Sequence, residues 1–344
     1  MPDLSRQSRL AALLQLGRHL RAAADDAYLQ AVMQRTAIHN PWFTLDNQAL
    51  AVSAAADQFL AEDKLIPWAA EYPEPDELQP RRVGLVLAGN IPLVGFHDLL
   101  CVFISGHRAV VKLSEKSPYL IPYLVKLLER FQPGAGGYFE FAEKLGRFDA
   151  VIATGSNNSA RYFEQYFGKY PHIIRRNRNG AAVLTGEETT GELAALAVDI
   201  FRYFGLGCRN VSKIYVPAGY DFHPLLEATH VHNRIQLHPK YKNNFDYNYA
   251  LMLLNKEPFH SNGAVIIREG ATLQSPIATL HYETYTEIEA LETELAGRRD
   301  ELQLVTARPG LLRFPTIPFG EAQQPGLSDY ADGVDTMRWL VGLG

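Results

Sequence analysis

Cysteine is scarce in this chain: Cys101 and Cys208 are its two thiols among 344 residues. Two cysteines cannot build a disulfide framework or a four-thiolate zinc site. No His-Glu-x-x-His occurs among the 11 histidines, so no protein-held metal is expected. An excess of positive charge is lacking too. The formal net charge of −5 offers no field to gather phosphate backbones or anionic lipids, which argues against nucleic acid as a partner. Long apolar runs are missing: the stretch 83–96 is too short and too interrupted to span a bilayer. Residues 1–9 lack the basic-then-apolar order of a signal peptide, and a cytoplasmic chain without a membrane span is the expectation. No Gly-x-Gly-x-x-Gly follows any strand-like segment, so the commonest dinucleotide fingerprint is also absent.

What remains is an ordinary globular composition, 47% hydrophobic and 21% charged, with no low-complexity tract. Single cores rarely grow past about 250 to 300 residues, so this length implies two domains. Leu10, Leu13, Leu14 and Leu20 follow a helical spacing, and 49–60 is a second, alanine-rich helical segment. These helices read as packing, without chemistry. The stretch 72–80 holds three prolines and no periodicity, which predicts an extended connector.

From Arg82 the pattern becomes strand, loop, helix, glycine, strand: 83–87, then 88–92, a helix through 100–104, Gly106, and 109–113. A helix after Pro118 and a strand at 150–153 complete the signature of a parallel α/β sheet with crossover helices. Ligands bind such sheets at the carboxyl ends of the strands. Polar clusters lie there: Asn90, then Lys112 with Ser114 and Glu115, then Thr154, Gly155 and Ser156. Each has a plain structural alternative, since Asn90 suits a turn, Lys112 and Glu115 a solvated loop, and Ser156 the cap of a helix over 158–167. Further on, 181–184 reads as a strand and 190–204 as a long amphipathic helix. Strand-like and helix-like stretches alternate again from Tyr215.

That helix leads into Gly205-Leu-Gly-Cys208-Arg209, followed by the β-prone run 214–216. A thiol flanked by glycines in a loop is accessible, its thiolate is a nucleophile, and a neighbouring cation such as Arg209 can lower its pKa from about 8.5. The structural alternative is a cysteine that simply packs.

In this order the motifs resemble those of the aldehyde dehydrogenase superfamily. Gly207-Cys208 with Lys213-Ile-Tyr-Val216 is similar to its nucleophile loop and the strand behind it. Gly89-Asn90-Ile91-Pro92 is similar to its Pro-Trp-Asn-Phe-Pro loop, and Val111-Lys112-Leu113-Ser114-Glu115 to its Lys-Pro-Ser-Glu segment. Ala153-Thr154-Gly155-Ser156 resembles its Phe-Thr-Gly-Ser turn, and Pro318-Phe-Gly320 its closing Pro-Phe-Gly-Gly. The resemblance covers roughly Arg82 to Leu340 and is strongest to the acyl-CoA reductases, including the long-chain acyl reductases of bacterial bioluminescence.

The resemblance implies an aldehyde-dehydrogenase-like fold of two α/β domains, a Rossmann-like dinucleotide-binding domain and a catalytic domain. The expected boundaries are 1–183, 184–320 with the cysteine, and a C-terminal return over 321–344. It implies Cys208 as nucleophile and Asn90 as donor to the substrate oxygen. Lys112, Ser114, Glu115, Gly155 and Ser156 would serve the cofactor. NADPH is the implied cofactor, with NADH the alternative because a carboxylate at Glu115 repels a 2′-phosphate. Where oxidising members carry Glu-Leu-Gly-Gly, this chain has Asn177-Arg-Asn-Gly180, so the water-activating glutamate is missing. The expected activity is reduction of an acyl-CoA or carrier-bound acyl thioester to a fatty aldehyde. An aldehyde dehydrogenase, an acyl-phosphate reductase, a cysteine acyltransferase and a non-catalytic α/β binding module stay open beside it. The short stretch before Arg82 leaves little room for the family's dimerising hairpin, so a tetramer is not expected and a homodimer stays open.

Overall fold

Leucines three and four residues apart can bury themselves only as one face of a helix. In the computed structural model, which describes residues 4–74 and 79–343, this happens in the first of four helices that precede the first strand. The helices are α1 (Arg6–Arg21), α2 (Ala27–His39), α3 (Leu45–Ala54) and α4 (Glu62–Ala70). Leu13, Leu16 and Leu20 of α1 are buried, while Leu10 and Leu14 lie at the edge of that face. Residues 75–78 of the expected connector lie outside the described residues.

The chain divides into two compact units, residues 1–177 with 325–344, and residues 178–324. In the first unit the order is β1 (Arg82–Val86), α5 (Phe96–Ser105), β2 (Arg108–Lys112), α6 (Leu120–Phe131), β3 (Phe139–Phe141), β4 (Ala150–Thr154), α7 (Asn157–Phe167) and β5 (His172–Arg175). The strands form one parallel sheet in the order β3-β2-β1-β4-β5. Strands covered on both faces must be apolar throughout, and Val83, Leu85, Val110, Val111, Val151 and Ile152 are all at most 1% exposed. Gly106, with φ of 83°, ends α5 in the left-handed conformation that glycine adopts without strain. The last twenty residues return to this unit. His97 Nε2–H donates to Leu327 O at 2.9 Å, and the buried Arg175 joins Asp98 (2.6 Å) to Thr336 (2.9 Å).

The second unit runs β6 (Asn179–Val183), α8 (Thr190–Phe201), β7 (Val211–Pro217), α9 (His223–His230), α10 (Pro239–Asn255), β8 (His260–Ser261), β9 (Ile266–Glu269), β10 (Thr279–Tyr285), α11 (Ile288–Gly297) and β11 (Leu302–Thr306). Its sheet has the order β11-β6-β7-β10-β9-β8, parallel except for the β8–β9 pair. Ala181, Val183, Tyr215, Leu291, Leu295 and Val305 form part of its core.

The units change at 177/178 and 324/325, against expected boundaries of 183/184 and 320/321. Two pairings account for the shift. β6 pairs with β7 and β11, which carries residues 179–183 into the second sheet. Gly320 and Ala322 donate to the Asp199 carboxylate at 2.7 and 3.0 Å, which keeps them there as well. No helix among the described residues is long and apolar enough to cross a membrane.

Candidate active site

The reactive candidate, Cys208, is half-buried in the loop joining α8 to β7. A capping box starts α8: the Thr189 hydroxyl accepts from Glu192 N, and the Glu192 carboxylate accepts from Thr189 N. The helix ends at Phe201, three residues before the end its apolar spacing predicts. Tyr203, Phe204 and Gly205 follow with φ of 53°, 60° and 73°. Left-handed backbone is strained for large side chains, so tertiary contacts must hold this turn.

Asn210 supplies them, and its exposure is only 2%. Its Nδ2 donates to Asp199 O (2.8 Å) and Arg202 O (2.9 Å), carbonyls at the helix end that have no helical partner. Its Oδ1 accepts from Gly207 N at 2.8 Å, its own N–H donates to Gly207 O at 3.0 Å, and its O accepts from Gly180 N at 3.0 Å. Cys208 therefore sits in a loop closed by one side chain. A Cβ on Gly207 would lie 2.8 Å from Gln323 Nε2 and 2.9 Å from Asn210 Oδ1, so any larger residue would have to displace these side chains.

Arg209 Nε donates to Ala322 O at 2.6 Å, so the cysteine loop is also tied to residues 320–323. Lys213, the basic residue beyond the thiol, is fully buried, paired with Glu283 at 2.6 Å and placed over the Tyr215 ring at 5.3 Å. It fastens β7 to β10 in the interior of the unit.

The remaining candidates gather at the carboxyl edge of the first unit's sheet. Asn90 lies in the turn after the central strand β1, Lys112 ends β2, and Gly155 follows β4. These three strands are neighbours, and chain order reverses between β1 and β4, the place where open α/β sheets take ligands. Gly89 presses on Ser114 so closely that a Cβ would come within 2.3 Å of Ser114 Oγ. The Asn90 turn and the Lys112–Glu115 stretch are thus in contact.

Ser156 caps α7 by accepting from Ser159 N at 3.2 Å, and the Gly155 N–H is used by Arg175 O at 3.3 Å. Anion binding at this turn would fall to amides of the first turn of α7, where the helix dipole favours negative charge. Ser114 Oγ accepts from Lys116 N at 3.3 Å, and Glu115 is exposed. The donor set fits a dinucleotide: a cation and a carboxylate after β2, and a helix start after β4.

The N-terminal helices do more for this edge than their leucine spacing discloses. His39 Nε2–H, in the last turn of α2, donates to Glu115 O at 2.7 Å, and Asn40 Nδ2 donates to Lys116 O at 3.2 Å. Arg35 stacks over the Tyr119 ring at 4.2 Å. Nothing in the periodicity of α2 marks these residues, because their partners lie 76 or more positions away.

Near the position of the missing glutamate, Arg178 Nη1 donates to Arg299 O and Leu302 O, both at 3.3 Å. Two candidate bases lie just past β6, the exposed Glu187 and then Glu188. One oxygen of Glu188 accepts from Thr185 N (2.6 Å) and Oγ1 (2.8 Å), the other from Gly186 N (3.1 Å), so Glu188 shapes the turn into α8.

No family model matches this chain, and no curated protein matches it in sequence. Solved structures do match its fold. An oxidoreductase from Marinobacter aquaeolei aligns over 95% of this chain and 80% of its own, with a TM-score of 0.67 and 11% identity. The indole-3-acetaldehyde dehydrogenase of P. syringae, a cysteine-to-alanine variant in complex with NAD+, aligns over 88% and 72%, with a TM-score of 0.62 and 14% identity. The propionaldehyde dehydrogenase of Clostridium phytofermentans aligns over 88% and 78%, with a TM-score of 0.59 and 10% identity. The chain has the fold of the aldehyde dehydrogenases.

Proposed function

We propose that this protein reduces an acyl-CoA thioester to an aldehyde at the expense of NADPH or NADH, through a thioester on Cys208. The observation that carries this reading is a clasped cysteine loop on an aldehyde dehydrogenase fold that has Asn177-Arg-Asn-Gly180 where a hydrolytic glutamate would stand. In the first step the Cys208 thiolate bonds to the thioester carbon, and the C–S bond to CoA breaks as its thiolate leaves. Asn90 Nδ2–H and the Cys208 N–H are the donors assigned to the oxyanion of that step, where preorganised donors are worth most.

Lys112, Ser114, Glu115 and the start of α7 would hold the dinucleotide, which when bound supplies the hydride that turns the acyl-enzyme into a thiohemiacetal. Collapse breaks the carbon–Cys208 bond, releases aldehyde and restores the thiolate. The balance is acyl-CoA, NAD(P)H and one proton giving aldehyde, CoA and NAD(P)+. Loss of nicotinamide absorbance on adding acyl-CoA to the purified protein, with aldehyde formed in equal amount, is the expected result. If neither NADPH nor NADH is consumed with any acyl-CoA from acetyl to long-chain, the reading fails.

The charges beyond β2 make a second expectation. Lys112 attracts a 2′-phosphate and Glu115 repels it, so Glu115→Gln should raise kcat/KM for NADPH relative to NADH. The fold should not suffer, because His39 grips the Glu115 carbonyl and leaves its carboxylate exposed. An unchanged ratio would remove residues 112–115 from the cofactor site.

A further inference from the structure

Asp199 is the buried carboxylate that the proposed chemistry leaves without a task. It lies near the end of α8 with no exposed surface, and neither of its oxygens meets a cation within ion-pair distance among the described residues. Instead they accept from two backbone amides, Gly320 N at 2.7 Å and Ala322 N at 3.0 Å. Those amides belong to the segment whose Ala322 carbonyl takes Arg209 Nε, and whose Gln323 side chain packs against Gly207. Asp199 also offers its own carbonyl to Asn210 Nδ2, the side chain that closes the cysteine loop. The loop is thus held from both sides, and each hold leads back to Asp199.

Burial lifts the carboxyl of Asp199 to about 6, against the pull of the Gly320 and Ala322 amides. A carboxyl raised in the folded chain adds stability below the ordinary carboxylate range, and that stability is lost as pH rises through about 6. At neutral pH the charge therefore opposes folding, so stability is a poor reason for its presence. Two strained residues, Tyr203 and Phe204, separate Asp199 from the thiol loop, and a loop under strain relaxes when its restraints go.

We propose that Asp199 is a positioning residue that sets the reactivity of Cys208, its carboxylate latching the 320–323 segment against the cysteine loop. The proposal rests on Cys208 being the nucleophile. Of the charges that act on the latch, Arg202 holds it ionised and Glu321 favours its protonation. The other elements packed on α8 carry His223, Glu227 and His230 on α9, all exposed, His232 stacked on Phe201 at 5.0 Å with its imidazole pKa lowered by burial, Arg308 paired with Glu192 at 2.7 Å, and Lys213 on β7, which is committed to Glu283.

The test follows the alkylation of Cys208 by iodoacetamide, read by peptide mass between pH 5 and 9. Cys101 is buried with its thiol pushed well up by that burial, so it reacts little. In the wild-type protein the logarithm of the rate should rise more steeply with pH between about 5 and 6 than at higher pH, because the latch ionises there together with the thiol, and the extra rise is limited to the factor the latch supplies. Asp199→Asn keeps the shape, loses the charge and can accept from only one of the two amides, Gly320 N or Ala322 N. It should react about tenfold more slowly at pH 7, the size of one charge-assisted hydrogen bond, and should show a single slope throughout. Asp199→Glu should restore part of the steeper limb.

A thermal melt at pH 7 that is unchanged or raised in Asp199→Asn would separate the latch from a purely structural role. A single slope in the wild type, which needs no variant, or wild-type alkylation in Asp199→Asn, would overturn the proposal. Failure of the underlying reading looks different. An acyl-CoA adduct that survives Cys208→Ala would discard the nucleophile, whatever the alkylation profile shows.

Discussion

Cys208→Ala should abolish acylation of the protein by acyl-CoA and lower reductase turnover by about 10⁴-fold or more, the scale on which removing a catalytic nucleophile acts. In the wild type, acyl-CoA given without nicotinamide should raise the intact mass by one acyl group, because thioester exchange needs only the thiolate and the oxyanion donors. The fold of the variant should be untouched. The loop is held by the Asn210 side chain and the backbone around it. An adduct that persists in Cys208→Ala, mapped to another residue, would reassign the nucleophile.

The second large effect belongs to Asn90. Its amide is the side-chain donor assigned to the oxyanion, and loss of one such donor costs about 10² to 10³ in rate. Asn90→Ala should therefore slow acylation by that factor while leaving dinucleotide binding, measured by fluorescence titration, within about twofold. The loss belongs to the transition state, and little of it should appear in the ground state. The turn itself has other supports: Phe96 N donates to Leu93 O at 2.9 Å, and Gly95 packs against Leu87. A folded variant that acylates at the wild-type rate, or one that unfolds while its folded fraction acylates normally, would make Asn90 a turn residue only.

Much of the fold was legible in the residues because buried parallel strands leave a strong trace. The runs beginning at Val83, Ala109, Ala150 and Ala181 are apolar on both faces and bounded by glycine, proline or polar residues, and all four are strands. β3 and β5 left no such trace, being three and four residues long at the edges of the sheet, where one flank needs no partner. The end of α8 misled the periodicity because apolar spacing continues to Phe204. Asn210 takes the Asp199 and Arg202 carbonyls and turns the chain left-handed three residues early.

The candidate site was legible as motifs and much less as supports. Asn90, Lys112, Ser114, Glu115, Gly155, Ser156 and Cys208 were marked by their order along the chain. Asp199 and His39 were not, because each acts on residues that only the fold brings near, and Asn210 was not, because its local bonds depend on the left-handed turn at Tyr203 and Phe204. Ser156 shows how the two kinds of reading coexist: it caps α7, and the same cap fixes the helix start that the proposed cofactor would use.

The central claim is that the acyl group on Cys208 waits for hydride or a thiol, and is not handed to water. A base that activates water typically contributes about 10² to 10⁴ in rate. Asn177, Arg178 and Asn179 cannot take that proton at neutral pH, and both oxygens of Glu188 are committed to the Thr185–Gly186 turn. The direct measurement is reduced-nicotinamide formation from a long-chain aldehyde and oxidised cofactor, with and without CoA. The account predicts sustained turnover only with CoA, and at most one equivalent of reduced cofactor per Cys208 without it. Steady production of free acid in the absence of CoA, at the CoA-supported rate, would contradict it and make the protein an aldehyde-oxidising enzyme.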